Sequence, residues 1–391
     1  MADRWQVLWL VSFARIAMGF QFQSVGSVAP VLSRELDLSL AELGGIIGAF
    51  SLPGVVLALP GAMLGMRFGE RRAVVLGLLM MIAGGVGCAL ARDADELLWA
   101  RLLSGAGGVL FNVVSTKLIA DWFAGREIAL AMAIFISTWP IGLGIASPLL
   151  SALSDVASTG VAFLATSLVA AAGLVAVMVR PISIAAASSS QNLGGSNLRH
   201  LTAQEWLLAV VLAGIAWGLY NVALAGLAAF LPTVLSARGA STGEAGAVAM
   251  WLMLGVILSV VLGGWLSARV RRPDLLSYSG LLGWMVAMAA LLIGGPAAPW
   301  LVAGGLVSGV AAGTLVSLPA QILRPSARAA GTGAFYTVYY LVMALVPREL
   351  GRFAQYYGSA DGVLVGSGAC VLLVIALLAT VRFAQRRKRD G

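Results

Sequence analysis

Twelve apolar segments, each long enough to cross a bilayer and parted by charged or Pro/Gly-marked turns, follow one another along this chain. They fall at residues 5–32, 40–66, 73–91, 96–120, 128–153 and 159–179, and then at 205–235, 241–268, 275–295, 299–323, 329–347 and 361–382. A spanning helix needs about 20 largely apolar residues at a rise of about 1.5 Å each. Backbone N–H and C=O groups in hydrocarbon must be paired within the segment, which selects the α-helix. The expected fold is therefore all-α and polytopic. Only 11% of the 391 residues are charged and the mean hydropathy is +0.95, whereas soluble domains carry about 25% charged residues. The first segment exceeds a signal peptide's apolar core of about 7–15 residues, so it is expected to stay as a span.

Between the sixth and seventh segments runs a polar stretch with Ser188, Ser189, Ser190, Gln191 and Asn192, then Gly194, Gly195, Ser196 and Asn197. Such a composition buries nothing and reads as a flexible linker. It divides the chain into an N-terminal six-helix bundle (1–180), a cytoplasmic linker (181–204) and a C-terminal six-helix bundle (205–391). The two halves echo each other. Arg67-Phe68-Gly69-Glu70-Arg71-Arg72 follows the second segment and Arg269-Val270-Arg271-Arg272-Pro273 follows the eighth, 202 residues later. Leu102-Leu103-Ser104-Gly105 in the fourth has a counterpart in Leu306-Val307-Ser308-Gly309 in the tenth, at an offset of 204. Matched positions at nearly one offset point to pseudo-symmetric halves, the common construction of transporters.

Basic residues set the orientation. With both termini in the cytoplasm, the inner turns, linker and tails hold 18 Lys and Arg against 5 in the outer turns (Arg34, Arg92, Arg238, Arg348 and Arg352). Arg15 and Arg101, left within the membrane, complete the 25. This is the positive-inside pattern, and it explains the formal net charge of +8 without nucleic acid as a partner. The chain is expected to be a multi-pass protein of a bacterial cytoplasmic (inner) membrane, with the lipid bilayer around it and no second subunit. Cys88 and Cys370 lie in apolar runs, and the one histidine, His200, lies in the linker. No cluster of His, Cys and carboxylates falls inside a span, so no metal or other cofactor is expected and an enzyme is not.

The turn after the second segment is similar to the loop signature Gly-x-x-x-Asp-Arg-x-Gly-x-Arg-Arg of the major facilitator superfamily, with Arg67, Gly69, Arg71 and Arg72 in place. The acidic position falls on Met66, and in the second half on Ala268, while Gly264, Arg269 and Arg272 fit. Arg101-Leu102-Leu103-Ser104-Gly105-Ala106-Gly107 matches that family's span-four signature Arg-x-x-x-Gly-x-Gly. Six plus six spans, a central linker and internal termini extend the resemblance over the whole chain. Within the superfamily, Arg15, Ser24-Val25-Gly26, Pro30, Leu231-Pro232 and Arg238-Gly239-Ala240-Ser241 resemble the cyanate and nitroimidazole permeases. The resemblance implies transport by alternating access, a cavity lined by spans one, four, seven and ten, and a role in gating for Arg67, Gly69, Arg71, Arg72, Arg269 and Arg272.

Arg15 carries most of the functional reading. It lies about ten residues into the first segment, hence about 15 Å deep, where a charge is costly and normally faces a bundle interior or water. No Asp or Glu lies inside any span to neutralise it, and its planar fork suits an oxyanion. A ligand anion is the expected complement. Gln23 lies on the same helix. Arg101 admits two readings, a second anion contact or a structural residue paired near the outer end of span four. Asn112, eleven residues on, returns to nearly the same helical face. Trp217, Tyr220 and Asn221 share a face of span seven, and Tyr336, Tyr339 and Tyr340 a face of span eleven. Trp139-Pro140 and Ser317-Leu318-Pro319 mark candidate bends. The expected substrate set is Arg15, Gln23, Asn112, Trp217, Tyr220, Asn221, Tyr336 and Tyr340, serving a small anion. The alternative is efflux of amphipathic drugs or metabolites, which the aromatic faces also suit.

Overall fold

The computed structural model describes residues 4–58, 60, 69–123, 127–179, 201–267, 270 and 273–390. Among them lie twelve long helices and no strand: α1 (Arg4–Glu35), α2 (Leu40–Leu57), α3 (Glu70–Leu90), α4 (Ala94–Trp122), α5 (Ile128–Val156), α6 (Thr159–Val179), α7 (Ala203–Ala237), α8 (Thr242–Ser267), α9 (Pro273–Leu292), α10 (Ala297–Ile322), α11 (Arg328–Tyr357) and α12 (Gly362–Asp390). Eleven of them are long and apolar enough to cross a membrane. The exception is α1, which has the length, at 32 residues, but is diluted by Arg15, Gln21, Gln23 and four serines. These polar residues are buried inside the bundle rather than presented to lipid, apart from Ser33 near the helix end.

Helix starts follow local chemistry. Ser39 and Glu42 form a reciprocal capping box at α2, Thr202 and Glu205 another at α7, and Asp93 accepts the Glu96 N–H at α4 at 2.8 Å; each satisfies N–H groups that the first turn leaves free. The α7 box starts the helix at Ala203, so the last two positions assigned to the linker are helical; the linker itself, through residue 200, lies outside the described residues. The eleventh segment, expected to stop at Pro347, continues to Tyr357. Proline inside a helix forfeits one hydrogen bond without ending the helix when neighbours hold it. The true stop is Gly358 (φ 83°), whose N–H reaches Ala354 and Gln355.

Packing repeats after six helices. As α1 packs on α5 and α6, α7 packs on α11 and α12; as α3 packs on α4 and α6, α9 packs on α10 and α12; α2 on α4 is matched by α8 on α10. The two sets meet through α2 with α11, its counterpart α8 with α5, and α1 with α7. These seams gather at the end of the molecule that carries the α1–α2, α5–α6, α7–α8 and α11–α12 turns. There the backbones touch. A Cβ on Gly48 would strike the Ala344 carbonyl, and one on Gly26 the Ala229 carbonyl, so only glycine permits the approach. The Asp155 carboxylate accepts the Gly243 N–H at 2.7 Å across the same end.

Candidate substrate-binding site

Gly19 of α1 and Gly142 of α5 lie against one another's backbones, and this close contact brings the Arg15 guanidinium onto α5. Its Nη1 donates to the carbonyls of Phe135 at 2.6 Å and Ile136 at 3.0 Å, and its carbon stands 4.4 Å from the Phe135 ring centroid. The Ile136 carbonyl is available for a reason written in the sequence: four residues on stands Pro140, which has no N–H to bond it. Arg15 therefore fills an acceptor that a proline has vacated. Its Nε donates to Asn112 Oδ1 at 3.1 Å. Nη2 makes no hydrogen bond with any described residue, and none of the ion pairs among the described residues includes Arg15. A planar guanidinium held on two nitrogens, with no carboxylate beside it among the described residues, has the chemistry to bind an oxyanion.

Asn112 joins Arg15 to the aromatic residues of the other half. Its Nδ2 lies 3.5 Å from the Tyr340 hydroxyl. Tyr340 meets Tyr339 edge-on at 4.9 Å, Tyr339 meets Tyr336 at 5.9 Å, and Tyr339 also stacks with Trp217 at 6.3 Å. Trp217 in turn lies flat on Tyr220, with ring centres 5.4 Å apart and planes 13° from parallel. Asn112, Trp217, Tyr336 and Tyr339 are half-buried. The contacts thus run unbroken from a fixed cation through five aromatic rings, those of Tyr340, Tyr339, Tyr336, Trp217 and Tyr220. Ring faces of this kind hold a planar apolar group by stacking.

The other expected residues fall in different places. Tyr220 is buried and spends its hydroxyl on the Ser308 carbonyl at 3.1 Å, and Asn221 donates back to Trp217 at 2.8 Å. Both precede a π-helical turn at Val222–Gly226, an irregularity that often accompanies function and that nothing in the sequence announced. Gln23 sits on the α1–α7 seam and donates to the Ala228 carbonyl at 3.1 Å. That acceptor too is vacated by a proline, Pro232, four residues on. Arg101 is wholly buried and stays within the first half. It donates to the carbonyls of Gln21, Phe22 (3.2 Å) and Ile46 (3.4 Å) and to Ser24 Oγ (3.2 Å), with Phe50 under its guanidinium at 5.0 Å. It ties α4 to α1 and α2. Arg71 donates to the Met178 carbonyl at 3.2 Å, Arg72 is exposed, and Gly69 takes a left-handed φ of 91° before α3. Arg67, Arg269 and Arg272 lie outside the described residues. α5 stays helical through Pro140, and the irregular turn in α10 falls at Gly309–Ala311 rather than at Pro319. Phe135 and Tyr339 join the site from the structure, Tyr339 from a stripe the sequence displayed, Phe135 with no sequence signal.

Known proteins share this architecture. The chain is 25% identical over 376 residues to the 3-(3-hydroxy-phenyl)propionate transporter of Escherichia coli (strain K12), covering 95% of this chain and 92% of that one. It is 26% identical to the 4-hydroxybenzoate transporter PcaK of Pseudomonas putida, covering 97% and 91%. Among solved structures, a mutant of the nucleoside transporter NupG superimposes with a TM-score of 0.77 at 13% identity over 96% of this chain and 99% of that one, a likeness of fold. Transporters rather than enzymes surround this sequence, and the Major Facilitator Superfamily profile matches residues 11–347; the chain belongs to that superfamily.

Proposed function

We propose that this protein carries aromatic carboxylates across the cytoplasmic membrane by alternating access. Arg15 holds the carboxylate through Nη2, with the Tyr340 hydroxyl as second donor, and the ring lies against Trp217, Tyr336 and Tyr339. The observation that carries the reading is the juxtaposition of an unneutralised guanidinium with that aromatic surface across the two halves, joined by Asn112. The relatives named for hydroxylated aromatic acids support the same chemistry. The resemblance to cyanate and nitroimidazole permeases shares with it the arginine in α1.

The halves, 1–180 and 205–391, rock about the α1–α7 seam, and Gln23, Tyr220, Asn221 and Arg101 shape the helices that carry the site. With the basic end placed in the cytoplasm, the closed seams face outward and the site opens inward. The unit is a single chain.

Purified protein should be stabilised against heat by 4-hydroxybenzoate and not by its amide, since a ligand adds about 2.7 kcal/mol at a hundred times its Kd. Stabilisation by neutral amphipathic drugs, with none by the acid, would favour the efflux reading instead.

A further inference from the structure

We infer that the protein is an obligate exchanger, crossing the membrane only when loaded and trading one carboxylate for another. The inference rests on the reading of Arg15 as the residue that holds the anion.

Two guanidiniums lie deep in the molecule, and they differ in one respect. Arg101 finds every partner within the first half, from α1 and α2, so its surroundings travel with it when the halves rock. Arg15 lies where the halves meet: its Nε partner Asn112 touches Tyr340 of α11, and its Nη2 is unfilled. Water must solvate that nitrogen in any open state, and occlusion removes the water. The loaded carrier meets occlusion as a neutral pair of guanidinium and carboxylate. The empty carrier meets it as a bare cation.

No resident group relieves that penalty. The sequence has 17 Asp and Glu, and every ion pair among the described residues lies toward a helix end: Arg4–Glu127, Lys117 with Glu70 and Asp121, Arg238–Asp361, Arg324–Glu205, Arg352–Glu349 and Arg382–Asp274. The single histidine is His200 of the linker. Among the described residues, nothing at the depth of Arg15 can take its charge or carry a proton in place of the anion. Bringing an uncompensated charge out of water is heavily disfavoured, so the empty return is slow and the loaded return fast. Exchange of one monovalent carboxylate for another moves no net charge.

Proteoliposomes decide the matter. Uptake of labelled 4-hydroxybenzoate is compared between vesicles loaded with unlabelled 4-hydroxybenzoate and vesicles holding only a bulky sulfonate buffer, after subtraction of protein-free vesicles. The expected result is uptake about tenfold or more faster into loaded vesicles, unchanged by an imposed membrane potential. Equal rates in both, or uptake into unloaded vesicles driven by a pH gradient, would overturn the inference while leaving the substrate reading in place. Uptake in neither would defeat the substrate reading and the exchange with it. Asn112→Asp supplies a second, independent arm. It places a carboxylate where Asn112 Oδ1 already accepts from Arg15 at 3.1 Å, giving the empty carrier a resident counter-ion. The ratio of loaded to unloaded uptake should fall toward one, and a folded, transporting N112D that keeps the wild-type ratio would overturn the charge argument.

Discussion

The two buried arginines show how identical side chains take opposite roles from their partners. Arg101 has its donors met by three carbonyls and a hydroxyl and is 0% exposed, whereas Arg15, at 8%, makes no hydrogen bond with any described residue through Nη2, the nitrogen the proposed function gives to the carboxylate. Arg15→Gln should therefore abolish carboxylate-dependent stabilisation while leaving folded yield intact or higher, because it deletes an incompletely paired charge. Arg15→Lys keeps the charge without the fork and should bind more weakly rather than not at all. Arg101→Ala should do the reverse: an emptied site between three helices lowers stability by about 2–5 kcal/mol, read as a fall in melting temperature, with the affinity of the surviving folded protein unchanged. The depth and isolation of Arg15 could be read directly from the sequence, since they depend only on position and on the absence of acids. The distinction from Arg101 could not, because the carbonyls that satisfy Arg101 belong to α1 and α2, and their proximity is a product of packing.

Prolines act on the helices in a way that joins local sequence to the site. Pro140 and Pro232 each vacate one carbonyl, and a polar side chain of α1 fills each: Arg15 at Ile136 and Gln23 at Ala228. The sequence marks both prolines as breaks but cannot say which donor from which helix will arrive. This is why Gln23, expected at the substrate for its place in α1, lies on the α1–α7 seam. Likewise the spacing of Tyr336, Tyr339 and Tyr340 displays a stripe, but its contact with Trp217 across α7 and α11 is tertiary. Replacing Pro140 by Ala returns an N–H to compete for the Ile136 carbonyl. Pro140→Ala should leave stability equal or higher and weaken carboxylate affinity several-fold, measured by titration of the purified protein; unchanged affinity would show that the carbonyl does not hold Arg15 in place.

For the molecule as a whole, hydropathy conveys eleven of the twelve long helices, and only α1 departs from the apolar rule, because it lines the interior on most of its sides. The meeting of the halves at one end was not legible, since it depends on glycine contacts such as Gly48 against Ala344 that many glycines in a helical membrane protein could have made. The proposed orientation, with both termini in the cytoplasm, rests on the basic residues. Cysteines introduced at Ser189 and Arg389 should react with an impermeant thiol reagent only from the cytoplasmic side, against a quiet background because Cys88 and Cys370 are buried; labelling from outside in intact cells would invert the topology. Under the proposed function, a carboxylate held by Arg15 against the aromatic rings is what the two halves pass across the membrane. Uptake of labelled 4-hydroxybenzoate into vesicles preloaded with the same acid, in competition with benzoate or benzamide, tests it most directly. Benzoate should compete, benzamide should not, and Arg15→Gln protein should carry nothing; competition by the amide equal to that of the acid, or wild-type uptake by Arg15→Gln, would contradict it.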